Sequence, residues 1–125
     1  MNDATILVVD DNPTNLKLVS DVLGFEGYRV LHAGDAESAQ EIIRQTLPDL
    51  ILMDIALPGM DGLSLTRQLK AGQTTGGIVI VALTAFAMKG DDRKAHEAGC
   101  DGYITKPIDT RTLPDVVAGY LRSRP

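Results

Sequence analysis

A chain of 125 residues accommodates one domain with a buried core, and 44% apolar residues exclude a disordered polymer. The formal net charge of -5 argues against a general binder of nucleic acid or anionic membrane. Cys100 is the single cysteine, which excludes an internal disulfide and fits a reducing compartment. No basic-then-apolar leader opens the sequence and no apolar run reaches membrane-span length, so a cytoplasmic protein without membrane insertion is expected.

Ile6-Leu7-Val8-Val9 is the first predicted strand, and it runs into Asp10-Asp11. Asn12 can cap a helix and Pro13 suits its first turn. Leu16, Val19, Val22 and Leu23 recur at helical spacing, and Gly24 and Gly27 mark the end. Tyr28 to His32 is a second strand with poor alternation, which suits an outer position. Asp35 caps a helix whose apolar face is Ala36, Ala39, Ile42, Ile43 and Leu47, closed by Pro48.

Asp49 to Met53 is a third strand, apolar on both faces, ending at Asp54. A turn-rich loop, Leu57 to Gly62, leads to a helix carrying Leu63, Thr66 and Leu69 and ending near Gly72. Thr74 to Gly77 reads as a flexible connection. Ile78 to Leu83 is the most apolar segment, a central strand ending at Thr84. The helix from Met88 to Ala98 is polar, with mostly alanine at its apolar positions, so it buries little area and should be weakly held.

Asp101 to Thr105 is the fifth strand, leading into Lys106-Pro107. The last helix carries Leu113, Val116, Val117, Tyr120 and Leu121. Pro114 sits too deep for a cap at Asp109 and fits a cap at Thr112, so an irregular first turn is expected. Strand and helix thus alternate five times. That order predicts a doubly wound α/β fold: a five-stranded parallel sheet with helices on both faces.

In such a sheet every strand ends at one edge, so Asp10, Asp11, Asp54, Thr84 and Lys106 can meet. Clustered carboxylates repel one another and call for a cation. Oxygen ligands without His or Cys point to Mg²⁺, with Mn²⁺ as the alternative. The metal, Lys106 and the Thr84 hydroxyl make a site for a phosphoryl group. A carboxylate can itself be the nucleophile, giving an acyl phosphate.

Val9-Asp10-Asp11-Asn12, the apolar strand into Asp54 with Leu57-Pro58-Gly59-Met60-Asp61-Gly62, Leu83-Thr84-Ala85, and Gly102-Tyr103-Ile104-Thr105-Lys106-Pro107 together resemble the receiver domain of two-component response regulators. Each motif alone is weak, whereas all in order at these spacings are specific. The resemblance covers essentially the whole chain.

It implies a flavodoxin-like, CheY-like sheet of strand order 2-1-3-4-5. It also implies that Asp54 accepts a phosphoryl group from a phosphohistidine on a sensor histidine kinase or histidine phosphotransfer protein. Asp11 and Asp54 would bind Mg²⁺ directly with the Ala56 carbonyl, and Asp10 mostly through water. Thr84 and Lys106 would contact the phosphoryl oxygens, and Tyr103 matches the switch aromatic. The two positions that tune hydrolysis of the acyl phosphate are Ala56 and Phe86. Ala56 cannot orient water and Phe86 is bulky, so slow self-dephosphorylation is expected.

Plainer roles stand beside these. Asp10-Asp11 could simply cap the first helix, Thr84 could satisfy strand-end backbone, and Tyr103 could be a fixed, half-buried aromatic. His32 and His96 read as surface or structural residues and Cys100 as a packed small hydrophobe. The charge run from Lys89 to Glu97 lies where the family's output surface falls.

The expectation is a single receiver domain over residues 1–125 with no output domain. It would be a monomer that switches binding to a downstream protein, with no nucleic-acid partner. The rival readings are a phosphatase or phosphotransferase with an aspartyl-phosphate intermediate, and a receiver-fold scaffold that is never phosphorylated. Enzymes of the first kind usually carry a second acid two residues after the nucleophile, where this chain has Ala56.

Overall fold

A computed structural model describes residues 4–55, 57, 61–84 and 91–123, with the backbone alone at 91, 92 and 123. Its elements are β1 (Thr5–Val9), α1 (Pro13–Phe25), β2 (Arg29–Ala33), α2 (Ala36–Gln45) and β3 (Leu50–Asp54). There follow α3 (Gly62–Ala71), β4 (Val79–Thr84), α4 (Asp91–Ala98), β5 (Gly102–Thr105) and α5 (Leu113–Ser123). All strand pairs are parallel, in the order β2-β1-β3-β4-β5, as expected.

The alternation of side chains along the strands builds two cores. Leu7, Val9, Ile51, Met53, Ile80 and Ala82 pack with α2 and α3 on one face. Ile6, Val8, Leu50, Leu52, Val79, Val81 and Leu83 pack with Val19 and Leu23 of α1 and Leu113 and Val117 of α5 on the other. Every residue of β3 and β4 is buried, which is why these strands show no polar alternation. Each fully buried Leu, Ile or Val contributes about 1.5–3 kcal/mol, so the central strands are firmly held. β2 is an edge strand with exposed Arg29 and His32, as its weak alternation suggests.

Local chemistry sets the helix starts. The Asn12 side chain accepts from the Thr14 and Asn15 N–H groups, and Pro13 takes the first helical position. Asp35 caps α2 through the Ser38 N–H, and hydrogen bonds from Ser38 hold its carboxyl below the usual range. Asp61 caps α3 through the Ser64 N–H at 2.7 Å. Before α5, Asp109 closes a turn on the Thr112 and Leu113 N–H groups, and the helix begins at Leu113 with Pro114 in its first turn. This is the irregular entry that Pro114 required.

Two expectations need correction. α2 ends at Gln45, so Leu47 is outside it and 48% exposed rather than part of its apolar face. The 74–77 connection is a hydrogen-bonded turn rather than a loose tether. Gly76 N–H donates to Gly72 O, Ile78 N–H to Thr75 O, and the Thr75 hydroxyl to Leu69 O. The expected start of α4 at Met88 lies outside the described residues. Ala95 and Ala98 are buried while Arg93, Lys94, His96 and Glu97 are exposed, so α4 is held by small side chains. Among the described residues, no helix is long and apolar enough to cross a membrane.

Candidate functional site

The sheet reverses its winding direction between β1 and β3, so the carboxyl ends of these neighbours open onto a crevice. β1 runs into Asp10 and β3 ends in Asp54, one step beyond the paired Val9 and Met53. Topology therefore brings together residues that are 44 positions apart in sequence.

Asp10 is fully buried, Asp54 is 4% exposed and Asp11 is exposed. One carboxylate oxygen from each lies within 4.8 Å of the others. Lys106, directly after β5, supplies a positive charge. Its Nζ lies 2.8 Å from Asp10 Oδ2 and 3.0 Å from Asp54 Oδ2. Burial alone would lower the Lys106 pKa. The hydrogen bonds and charges of Asp10 and Asp54 outweigh it and raise the ammonium above the ordinary lysine value.

Asp10 is committed to protein donors. Its Oδ1 accepts from the Asn12 N–H at 2.9 Å, and its Oδ2 from the Asn15 amide at 3.4 Å as well as from Lys106. Asn12 thus caps α1 with its side chain and holds Asp10 with its backbone. Asp11, at the solvent side, has no such donor among the described residues. This asymmetry separates two adjacent acids that look alike in sequence.

The donor set fits a hard divalent cation. Converging carboxylate oxygens without a thiol or imidazole suit Mg²⁺, and the exposed Asp11 leaves an open side where water can complete the shell.

Thr84 ends β4 in register with Thr105 and is 2% exposed. Its carbonyl accepts from the Lys106 N–H at 2.6 Å, which ties Lys106 to the end of β4. Tyr103 is half-buried and packs against the first core, on the α4 side. Ala56 and Phe86 lie outside the described residues. His32 and His96 are exposed, and Cys100 is 7% exposed in the first core, as expected of each.

Some contributors were not visible in sequence. Asn15 reaches Asp10 from the first turn of α1, and only the i, i+3 relation to the Asn12 cap hinted at it. Gly62 read merely as turn punctuation. A Cβ there would lie 2.2 Å from the Asp54 carbonyl oxygen, so α3 starts directly against the end of β3.

A doubly wound sheet with an acidic pocket and a lysine at its carboxyl edge fits phosphorylation. The family model described as "Response regulator receiver domain" matches residues 6–118, and the chain belongs to that family. It is 38% identical to the polar-differentiation response regulator DivK of Brucella ovis over 117 residues, 94% of this chain and 95% of that one. A putative response regulator from Chloroflexus aurantiacus superposes with a TM-score of 0.91 at 32% identity, covering 97% of this chain and 99% of that one. The receiver domain of sensor histidine kinase PA1611 from Pseudomonas aeruginosa has a TM-score of 0.88 at 34% identity, covering 98% of this chain and 100% of that one. That structure holds a magnesium ion coordinated in its active site cleft.

Proposed function

We propose that this protein is a phosphorylation-controlled binding switch, with Asp54 as phosphoacceptor. The observation that carries this reading is the Lys106 ammonium held between Asp10 and Asp54, in a pocket whose carboxylate oxygens lie within 4.8 Å of one another. Asp54 stands at the rigid end of a buried strand, which suits an in-line displacement because the nucleophile loses little freedom on reacting.

An Asp54 carboxylate oxygen attacks phosphorus of a phosphohistidine on a sensor kinase or phosphotransfer protein. The O–P bond forms as the N–P bond breaks, and the bonding pair leaves on the imidazole nitrogen. Lys106 turns its N–H groups from Asp54 toward the developing phosphoryl charge, and the Thr84 hydroxyl donates to another oxygen. Asp11 and Asp54, with the Ala56 carbonyl, would hold Mg²⁺, and Asp10 would act through water. When bound, that ion neutralises charge on the phosphoryl oxygens.

Output is a change of surface. The added charge draws Thr84 toward the phosphoryl group, Tyr103 turns inward, and α4, β5 and α5 present a different face to a downstream protein. Two features support this. α4 buries mainly alanine, and a cleft of about 160 Å³ between α4 and β5 is lined by His96, Cys100 and Tyr103 among others. With Ala56 and Phe86 at the tuning positions, self-dephosphorylation is slow.

The test is phosphotransfer from labelled, phosphorylated kinases to the wild type and to Asp54→Asn, with and without Mg²⁺. Label is expected on the wild type only, and only with the ion. Retained label on Asp54→Asn would overturn the assignment. Hydrogen exchange with beryllofluoride then reads the switch, and unchanged protection across 91–105 would refute it.

A further inference from the structure

Strand β5 has little of its own to set its register. It is four residues long, lies at the sheet edge and bonds only to β4. Tyr103 packs into one core and Ile104 into the other. A slip of one residue would exchange one apolar side chain for another on each face, so burial discriminates poorly between registers. Gly102 gives the strand one weak determinant: the Tyr120 ring fills the space where a side chain would stand, so a slip would require that ring to turn aside.

Asp101, just before β5, supplies what the strand lacks. Its N–H donates to Ile80 O at 2.7 Å, and its Oδ2 accepts from the Ile80 N–H at 2.8 Å. Lys70, near the end of α3, donates through Nζ to the same oxygen at 2.8 Å and to Ile78 O at 2.7 Å. The Lys70 stem reaches them across the turn at Gly99, where φ is +103° and a Cβ would stand 3.0 Å from Lys70 Cγ. At the other end of β5, the Lys106 N–H is bound to Thr84 O at 2.6 Å.

We propose that the Lys70–Asp101 pair is a register lock for β5 and, through that strand, positions Lys106 and Tyr103. A slip of one residue would carry Lys106 about 3.3 Å along the sheet and turn it to the opposite face, away from Asp54. The pair acts by geometry rather than by a large contribution to stability. Its side chains are 22% and 42% exposed, and ion pairs this wet contribute little. The register lock stands independently of phosphotransfer, whereas its consequence for phosphoryl binding rests on the function proposed above.

The test is amide hydrogen exchange by NMR on wild type, Lys70→Met, Asp101→Ala and Lys70→Arg. The Ile80 and Lys106 amides should exchange about threefold or more faster in Lys70→Met and about tenfold or more faster in Asp101→Ala, while those of Leu7 and Leu52 keep their rates. Lys70→Arg should restore wild-type behaviour. A loss confined to Ile80, or a uniform loss across the sheet, would overturn the proposal. If Asp101→Ala does not fold, Lys70→Met decides alone, because it leaves both Asp101–Ile80 hydrogen bonds in place. Beryllofluoride titration of the same samples separates the two readings. Failure of the wild type to bind it overturns phosphoacceptance and leaves the lock to be judged by exchange.

Discussion

Gly62 and Asp54 touch backbone to backbone. A Cβ at Gly62 would stand 2.2 Å from the Asp54 carbonyl oxygen and 2.9 Å from its carbonyl carbon. The first turn of α3 is therefore a wall that sets where β3 ends. In Gly62→Ala the overlap is with main chain, which cannot rotate away, so helix and strand end must part. Such overpacking should cost about 1–3 kcal/mol in urea denaturation. Displacement of Asp54 should slow labelling by a small acyl phosphate by roughly tenfold or more. Wild-type values on both measurements would show that α3 can shift without moving Asp54.

Lys106 is the positive partner of two nearly dry carboxylates, with side-chain exposures of 15% for Lys106, 0% for Asp10 and 5% for Asp54. Lys106→Met leaves these acids to repel each other. The expected loss is about 2–3 kcal/mol in metal-free buffer, less than for a sealed ion pair because Asp11 opens the cluster to water. Mg²⁺ should restore part of it and should raise the variant's denaturation midpoint more than the wild type's. Chelator should remove that difference.

The Lys106 ammonium is raised above the ordinary lysine value, so its contribution is complete below the unfolded lysine pKa, about 10.4, and is lost as pH climbs through the folded one. Tyr28 behaves in the same sense, because burial raises its phenol and favours the neutral form. Stability should therefore fall above about pH 10. In Tyr28→Phe the Lys106 part of that fall should persist, whereas Lys106→Met on that background should flatten it. Denaturant titrations between pH 8 and 11.5 read both.

Burial pushes the Cys100 thiol up, more than the Thr66 hydrogen bond lowers it. With the residue 7% exposed, little thiolate is present or reachable at neutral pH. Alkylation by iodoacetamide should be more than about tenfold slower in the native protein than in urea. Equal rates would place Cys100 on an open surface.

Asn12 serves the α1 cap with its side chain and Asp10 with its backbone N–H. Asn12→Ala removes only the first role. It should cost about 1 kcal/mol of stability and leave Mg²⁺ affinity close to wild type. A large loss of Mg²⁺ affinity would show that the cap itself holds the acidic pocket in place.

The sequence by itself determined the fold class, the strand order expected from the family resemblance, and the strand ends where the chemistry gathers. Those features are periodic or local. Apolar runs such as Leu50 to Met53 declare buried strands, and caps such as Asn12 and Asp35 act within a few residues. Tertiary structure alone decided which acid is sealed and which is wet, because Asp10 and Asp11 are adjacent and chemically identical. It also decided the end of α2, since an apolar Leu47 says nothing of whether a partner surface lies opposite. The Gly62–Asp54 approach and the Lys70–Asp101 pairing were equally hidden, because both arise where separate elements cross, and nothing in the spacing of one segment encodes the distance to another. Asp54 thus owes its place at a strand end to local sequence, and its immobility and its lysine to the packing of elements far along the chain.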